Sequence, residues 1–301
     1  VMQTFSVVLR KKDEFALCAR LENLLIEHIY HKETEDVMPH TLSILELLDH
    51  KIFDDATTLN FRARAAIFLA INLAVRKHPS EAEDVFKRIP QIPSEFVQTQ
   101  ILYNRATAQI AIAAFYQGRY RSAYLFLRRF YNVKFMAKNL GQDPSIYPPW
   151  LMIDTKIITI LHLLSAMLLD LPYLTVPIKD ESKLLIKGQM HKELQKENLT
   201  SHPETSSQRV AVAIGLAKAG NWKEAYDTIS SQLGTRHPNL DKFVTDLKKI
   251  SLCCFLLKAK KYYDSIKYDY LVKKFELSKE EILEITKKMI EGFSPIENAQ
   301  I

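Results

Sequence analysis

A short helical-hairpin signature recurs along this chain and restricts its fold more than any other feature. The copies read Pro79-Ser-Glu-Ala82-Glu-Asp-Val-Phe86, Gly118-Arg-Tyr120-Arg-Ser-Ala123 and Gly220-Asn-Trp222-Lys-Glu-Ala225. In the last two, glycine ends one helix where a left-handed turn is needed, a conformation that costs little without a Cβ. The aromatic two residues on packs into the bend, and the alanine three further lets the next helix approach closely. The first copy puts Pro79 in the place of glycine and keeps only the alanine and a later aromatic. Units of this kind cannot bury their apolar faces alone, so they must stack. The expected fold is all-α, a helical-repeat solenoid that presents surface to partners.

Composition narrows the class further. Hydrophobic residues make up 47% of the 301 positions, charged residues 25%, and glycines number only 7. Such a chain can bury a large core. It is poor in the glycines that loop-rich β proteins and phosphate-cradling loops use. A net charge of +6 and a pI near 9.0 point to an acidic partner, nucleic acid or ribonucleoprotein first and membrane surface second. Cys18 and the adjacent Cys253 and Cys254 form no ladder of spacings, so buried thiols in a reducing compartment are expected. Val1 to Val8 is too short and uncharged for a secretory leader. The most apolar run, Ile157 to Leu169, is shorter than the roughly 18–20 residues of a bilayer span. The expectation is a buried helix, no membrane and a cytoplasmic protein.

Apolar periodicity places the elements. Helices are expected over 14–30 and 42–48, then from a cap at Asn60 through Val75, from Pro79 to Ile89, and from a cap at Ser94 to Tyr116. The second hairpin continues from Tyr120 to Phe130. A helix from Trp150 to Asp170, apolar nearly all round, marks a central element. Asn198 to Ser207 reads as a loop, and the third hairpin runs from Gln208 to Leu233. The repeats occupy residues 1–238. From 239 to 301 the layout changes to a helix over 240–257, a short strand Asp264 to Lys267, a helix Tyr268 to Phe275, and a helix from a capping box at Ser278 to Ile290. That order is a winged helix with a short or incomplete wing after Gly292.

No catalytic constellation emerges. His28 and His31 lie three apart on a helix, a metal-binding spacing, but lack the order and third ligand of a zinc site. A nucleophile elbow, a P-loop and a dinucleotide fingerprint are all missing, so no enzyme, cofactor, metal or small-molecule substrate is expected. The basic residues are grouped instead. Arg119, Arg121, Arg128, Arg129, Lys134 and Lys138 follow one another without an acidic neighbour, and Tyr120, Tyr124 and Tyr131 are interleaved. Such grouping suits a ribosome or RNA contact; a solvated helix face is the alternative. The last helix carries Glu280, Glu281 and Glu284 in its first half, where a DNA-reading helix would carry Arg, Asn or Gln. It suits protein contact, and Tyr262, Tyr263, Tyr268 and Tyr270 nearby form the candidate partner interface.

Helical repeats running into a winged helix resemble the PCI module of the proteasome lid, the signalosome and eukaryotic translation initiation factor three. Gln100-Ile-Leu-Tyr-Asn-Arg105 with Gln109 and Ala114-Phe-Tyr-Gln-Gly118 is similar to a run in the family of that factor's C subunit, as is Ser165-Ala-Met-Leu-Leu169 with Pro172-Tyr173. Leu140-Gly-Gln142, Gln189-Met-His191, Pro203-Glu204, Gly220-Asn-Trp-Lys223, Asp264-Ser-Ile266, Phe275-Glu-Leu277 and Lys288-Met-Ile290 follow in the family's order. The resemblance covers Arg62 to Phe293. It implies a non-catalytic scaffold of translation initiation that pairs with other initiation factor 3 subunits, above all the A subunit, and helps bind the small (40S) ribosomal subunit. Two alternatives stand beside it: a PCI protein of the proteasome lid or signalosome, and a stand-alone helical-repeat RNA-binding protein.

Overall fold

Three corners of the chain turn with the same hydrogen bonds, and they organise the helices on either side. The computed structural model describes residues 56–89, 91–92, 94–130, 136–142, 152–175, 184–186, 192, 203–233 and 240–292. The helices expected over 14–30 and 42–48, with Cys18, His28 and His31, lie outside them. Eleven helices and no strand occur among the described residues. They are α1 (Ala56–Val75), α2 (Pro79–Lys87), α3 (Val97–Tyr116), α4 (Tyr120–Leu127), α5 (Met136–Asn139), α6 (Thr155–Thr175), α7 (Ser206–Lys218), α8 (Trp222–Leu233), α9 (Asp241–Ala259), α10 (Tyr268–Phe275) and α11 (Lys279–Ile290). The all-α expectation holds.

Gly118 and Gly220 adopt φ of 79° and 81°. The Gly118 N–H donates to the Phe115 carbonyl and the Arg119 N–H to Ala114, both at 2.9 Å. The Gly220 N–H donates to Ala217 and the Asn221 N–H to Leu216, again at 2.9 Å. At the first corner Lys77, not Pro79, takes the left-handed position, with φ 68°. Its N–H donates to Ala74 at 3.1 Å and that of His78 to Leu73 at 2.9 Å. All three are Schellman turns, which satisfy the carbonyls a helix end leaves open. Pro79 therefore stands where Tyr120 and Trp222 stand, at the first position of the next helix, because proline cannot adopt a positive φ. Ala82, Ala123 and Ala225 then coincide, and all three are fully buried.

Two other expected starts move. Asn60 lies inside α1 and its Oδ1 accepts from the Thr99 hydroxyl at 2.7 Å, so it caps nothing. Ser94 sits in a turn ahead of α3. The segment expected to be a loop ends in a capping box that its sequence carries, Thr205-Ser-Ser-Gln208, where the Thr205 hydroxyl accepts from the Gln208 N–H at 3.2 Å.

The described residues fall into two compact units, one running to Ala113 with 133–153, the other comprising 114–132 and 154 onward. In the first, α1 packs on α2. From Ala66 to Ala74 α1 is buried on all sides, with Ile67, Leu69 and Ala70 fully enclosed. The Phe86 and Tyr103 rings lie 4.5 Å apart, and the buried Arg105 guanidinium donates to the Leu140 carbonyl at 2.8 Å.

In the second unit α6 is central, packing against α4, α7, α8 and α9. It runs from Thr155 to Thr175, beginning and ending later than the sequence pattern places it. Its 21 residues are long and apolar enough to cross a membrane, contrary to the shortfall inferred from the run Ile157 to Leu169. Burial of 78% of its most apolar window accounts for that composition: α6 is a core helix. Asp170, also buried, accepts from the Leu185 and Ile186 N–H groups at 2.7 Å each, which offsets the cost of enclosing a carboxylate. The second corner is tied to α9 through the buried Tyr120, whose hydroxyl donates to Asp246 at 2.8 Å, while Lys242 donates to the same carboxylate at 3.0 Å.

His162 stacks on Tyr124 with ring centroids 4.9 Å apart, and burial pushes its pKa down to about 4. The unfolded chain, with an ordinary value of 6.5, then binds a proton between pH 6.5 and 4 that the native state refuses. Stability is full above pH 6.5 and falls as the pH drops towards 4, by up to about 3 kcal/mol. Urea midpoints at pH 7 and pH 4.5 should separate more for the wild type than for His162→Gln. Equal separations would remove His162 as a source of the acid sensitivity.

Candidate interaction surfaces

The C-terminal helices share a core with the last hairpin. Trp222 of α8 packs with Leu252, Leu271, Phe275, Leu277, Ile282 and Ile285. Its indole N–H donates to the Lys274 carbonyl at 3.1 Å, and the Lys248 ammonium lies 4.3 Å from the ring centroid. A Cβ on Gly220 would come within 3.2 Å of Phe255 and of the Lys274 side chain, which would have to give by a few tenths of an ångström, and the positive φ strains any other residue there. Glu276 ends α10 in the left-handed region at φ 52° and accepts from Lys223 and from Lys248, the latter at 3.1 Å. Hydrogen bonds from those two lysines hold its carboxyl below the usual carboxylate range. Removing α10 and α11 would therefore expose Trp222, Leu252 and Phe255 of the hairpin and α9.

Of the expected winged-helix parts, α9, α10 and α11 are present, and the capping box at Ser278 forms as its sequence requires. The Ser278 hydroxyl accepts from the Glu281 N–H at 3.2 Å, and Glu281 accepts from the Ser278 N–H at 3.0 Å. Asp264 to Lys267 is not a strand. An extended segment needs a ladder partner for its N–H and C=O groups, and none lies among the described residues. The wing, from residue 293, and the boundary at 238 lie outside them. Two of the three acidic residues in the first half of α11 pair within the fold: Glu281 closes the cap and pairs with Lys249 at 3.3 Å, and the exposed Glu284 pairs with Lys288 one turn on at 2.8 Å.

The four candidate tyrosines are all exposed, Tyr262 at 80%, Tyr263 at 63%, Tyr268 at 37% and Tyr270 at 51%. The first two belong to the corner between α9 and α10, the others to α10. Tyr270 flanks Phe255 at 6.3 Å, and Lys279 lies 5.8 Å from the Tyr268 ring. Leu283 and Ile290 of α11 are exposed as well. Aromatic side chains left in solvent in this number suit a contact surface.

The basic group is divided. Arg121, Arg128 and Arg129 are exposed on and just after α4, and Arg119 is half-buried at its start. Lys138 is exposed on α5 in the first unit, and Lys134 lies outside the described residues. The two interleaved tyrosines among the described residues, Tyr120 and Tyr124, are structural rather than stacking surfaces. Tyr120 is fully buried against Phe115 and Asp246, and Tyr124 is half-buried on His162; Tyr131 is outside the described residues. Their alternation with arginine reflects a helix with one face in the core.

Cys253 and Cys254 are buried free thiols, and burial pushes the Cys254 pKa up to about 11. Among the described residues no three His, Cys, Asp or Glu side chains gather as a metal site would require.

Comparison with known proteins supports the resemblance drawn from the residue strings. The chain is 25% identical over 92% of its length to the C subunit of eukaryotic translation initiation factor 3 from Caenorhabditis briggsae, and equally to that of Caenorhabditis elegans. The corresponding protein of Danio rerio is 27% identical over 64% of this chain. The two nematode matches reach beyond the stretch from Arg62 to Phe293. The chain spans about a third of the length of the nematode relatives, 35% and 34% respectively, and 24% of the Danio rerio protein. No protein-family profile matches it.

Proposed function

We propose that this chain acts as a non-catalytic scaffold within translation initiation factor 3, in the manner of that factor's C subunit. The observation that carries this reading is the similarity to the C subunit along 92% of the chain. Residues 1–238 form the helical-repeat part and 239–301 the winged-helix part of a PCI module. The module pairs with other initiation factor 3 subunits, above all the A subunit, and the assembly associates with the small ribosomal subunit in the cytoplasm. Neither a membrane nor a small-molecule substrate enters this function.

Pairing runs through the exposed Tyr262, Tyr263, Tyr268 and Tyr270, since tyrosine buries a large area at low entropy cost. Arg119, Arg121, Arg128, Arg129, Lys134 and Lys138 serve the ribosome. Affinity purification of the tagged full chain should recover initiation factor subunits together with small ribosomal subunits. Recovery of proteasome-lid or signalosome subunits instead would overturn the proposal. Tyr262→Ser combined with Tyr263→Ser should weaken subunit pairing by about 2 kcal/mol, roughly thirtyfold, at unchanged thermal stability. Unaltered pairing would place the interface elsewhere.

A further inference from the structure

Among the described residues, the half-buried lysines are matched by a carboxylate or an aromatic ring, with one pair excepted. Lys248, Lys249 and Lys288 pair with Glu276, Glu281 and Glu284 at 3.1, 3.3 and 2.8 Å, and the Lys274 ammonium lies 5.0 Å from the Phe255 ring centroid. Lys218 in the last turn of α7 and Lys258 in the last turn of α9 are half-buried as well. These two helices pack against each other, and the two ammonium groups come close enough to repel. Burial first, and that repulsion second, hold the Lys218 pKa below the usual lysine range. Cys254, one turn before Lys258, is near both, but burial keeps it a neutral thiol that supplies no counter-charge. Neither lysine pairs with a carboxylate or donates a hydrogen bond among the described residues.

We infer that Lys218 and Lys258 form a binding site for a dianionic phosphate monoester. The helix dipole favours a cation in the last turn of each helix, which explains a lysine on each but not why the two converge without an anion. Half-removed from water, like charges so placed are costly, and an anion set between them turns repulsion into attraction. Charge balance sets the ligand's charge. A phosphate monoester carries close to two negative charges at neutral pH and three acceptor oxygens, so it satisfies both ammonium groups. A carboxylate or an RNA phosphodiester carries one and leaves the second ammonium uncompensated. Glu276 does serve two lysines, Lys223 and Lys248, but with 43% of its side chain in water. Lysine is also a point charge with rotatable donors, which fits a tetrahedral oxyanion, whereas planar carboxylates are matched by the fork of arginine. The monoester is a free phosphate or small metabolite, or the phosphorylated side chain of a protein segment, and the chemistry of the site is the same for each. The site stands apart from the subunit and ribosomal contacts proposed above.

The test follows the melting temperature of the full chain and of Lys258→Met at matched ionic strength. Inorganic phosphate, O-phosphoserine, a phosphoserine peptide, dimethyl phosphate, oligouridylate and acetate are titrated in turn. Without an added anion, Lys258→Met should melt no lower than wild type, because it removes a repulsion. A lower value would mean that Lys258 is already satisfied within the fold, and would overturn the site. Inorganic phosphate or O-phosphoserine at about ten times its dissociation constant should raise the wild-type value by about 3 °C. Lys258→Met and Lys218→Gln should both lose that shift. Stronger protection by the peptide than by phosphate assigns the site to a phosphorylated segment, and the reverse to a free anion; both uphold it. Acetate, dimethyl phosphate or oligouridylate protecting as well as phosphate would overturn the choice of a monoester. Equal phosphate shifts in wild type and both variants would show a general salt effect, and no shift in the wild type an absent site; either result ends the inference.

Discussion

Replacing Ala166 with arginine should destabilise the second unit by on the order of 4 kcal/mol, because the new guanidinium is enclosed without a counter-ion. Ala166 is 2% exposed near the middle of α6, the helix on which α4, α7, α8 and α9 all pack. Its neighbours Leu163, Leu164, Met167 and Leu168 are buried too, so the long side chain has no short route to water. Ala166→Gly removes only a methyl group and loosens the helix, at a cost nearer about 1 kcal/mol. Urea unfolding of the two variants should separate them clearly. An arginine variant that unfolds with the wild type would mean that α6 has an open side.

Trp222→Ala should cost about 3–5 kcal/mol, the range for truncating a buried aromatic. The loss combines packing against Leu252, Leu271, Phe275 and Ile282, the hydrogen bond to the Lys274 carbonyl, and the Lys248 ammonium over the ring. Trp222→Phe keeps much of the area and gives up the hydrogen bond, so it should cost about 1–2 kcal/mol. The loss has a location as well as a size. Amide exchange should rise first in α10 and α11, whose hold on the hairpin runs through this ring. Exchange that rises evenly through α6 and α7 instead would show that Trp222 is not the fastening point.

The same residue marks how far local pattern reaches. Gly220-Asn-Trp222 announces a helix corner, because a left-handed turn and the hydrogen bonds that close it involve only six consecutive residues. That the indole then joins the C-terminal helices depends on Leu271 and Phe275, far along the chain. Lys77 was hidden for the opposite reason: a non-glycine residue at φ 68° is stable only where the surrounding turn over-determines it. The proline beside it drew the register two positions too far. The four tyrosines near α10 were legible as a surface because short, polar surroundings flank them, whereas Tyr120 and Tyr124, set among arginines, turned inward.

By itself the sequence determined what short-range physics controls. It determined helical periodicity almost throughout, two glycine corners with their packed alanines, the Ser278 cap and the strings shared with the initiation factor family. Tertiary structure alone decided where side chains end. Tyr120 meets Asp246 across 126 positions, α6 becomes a core helix rather than a span, and Arg121, Leu125 and Arg128 are left together outside. Turns and caps are settled by hydrogen bonds among immediate neighbours, but burial is settled by whichever distant helix arrives to exclude water, and no local pattern records that.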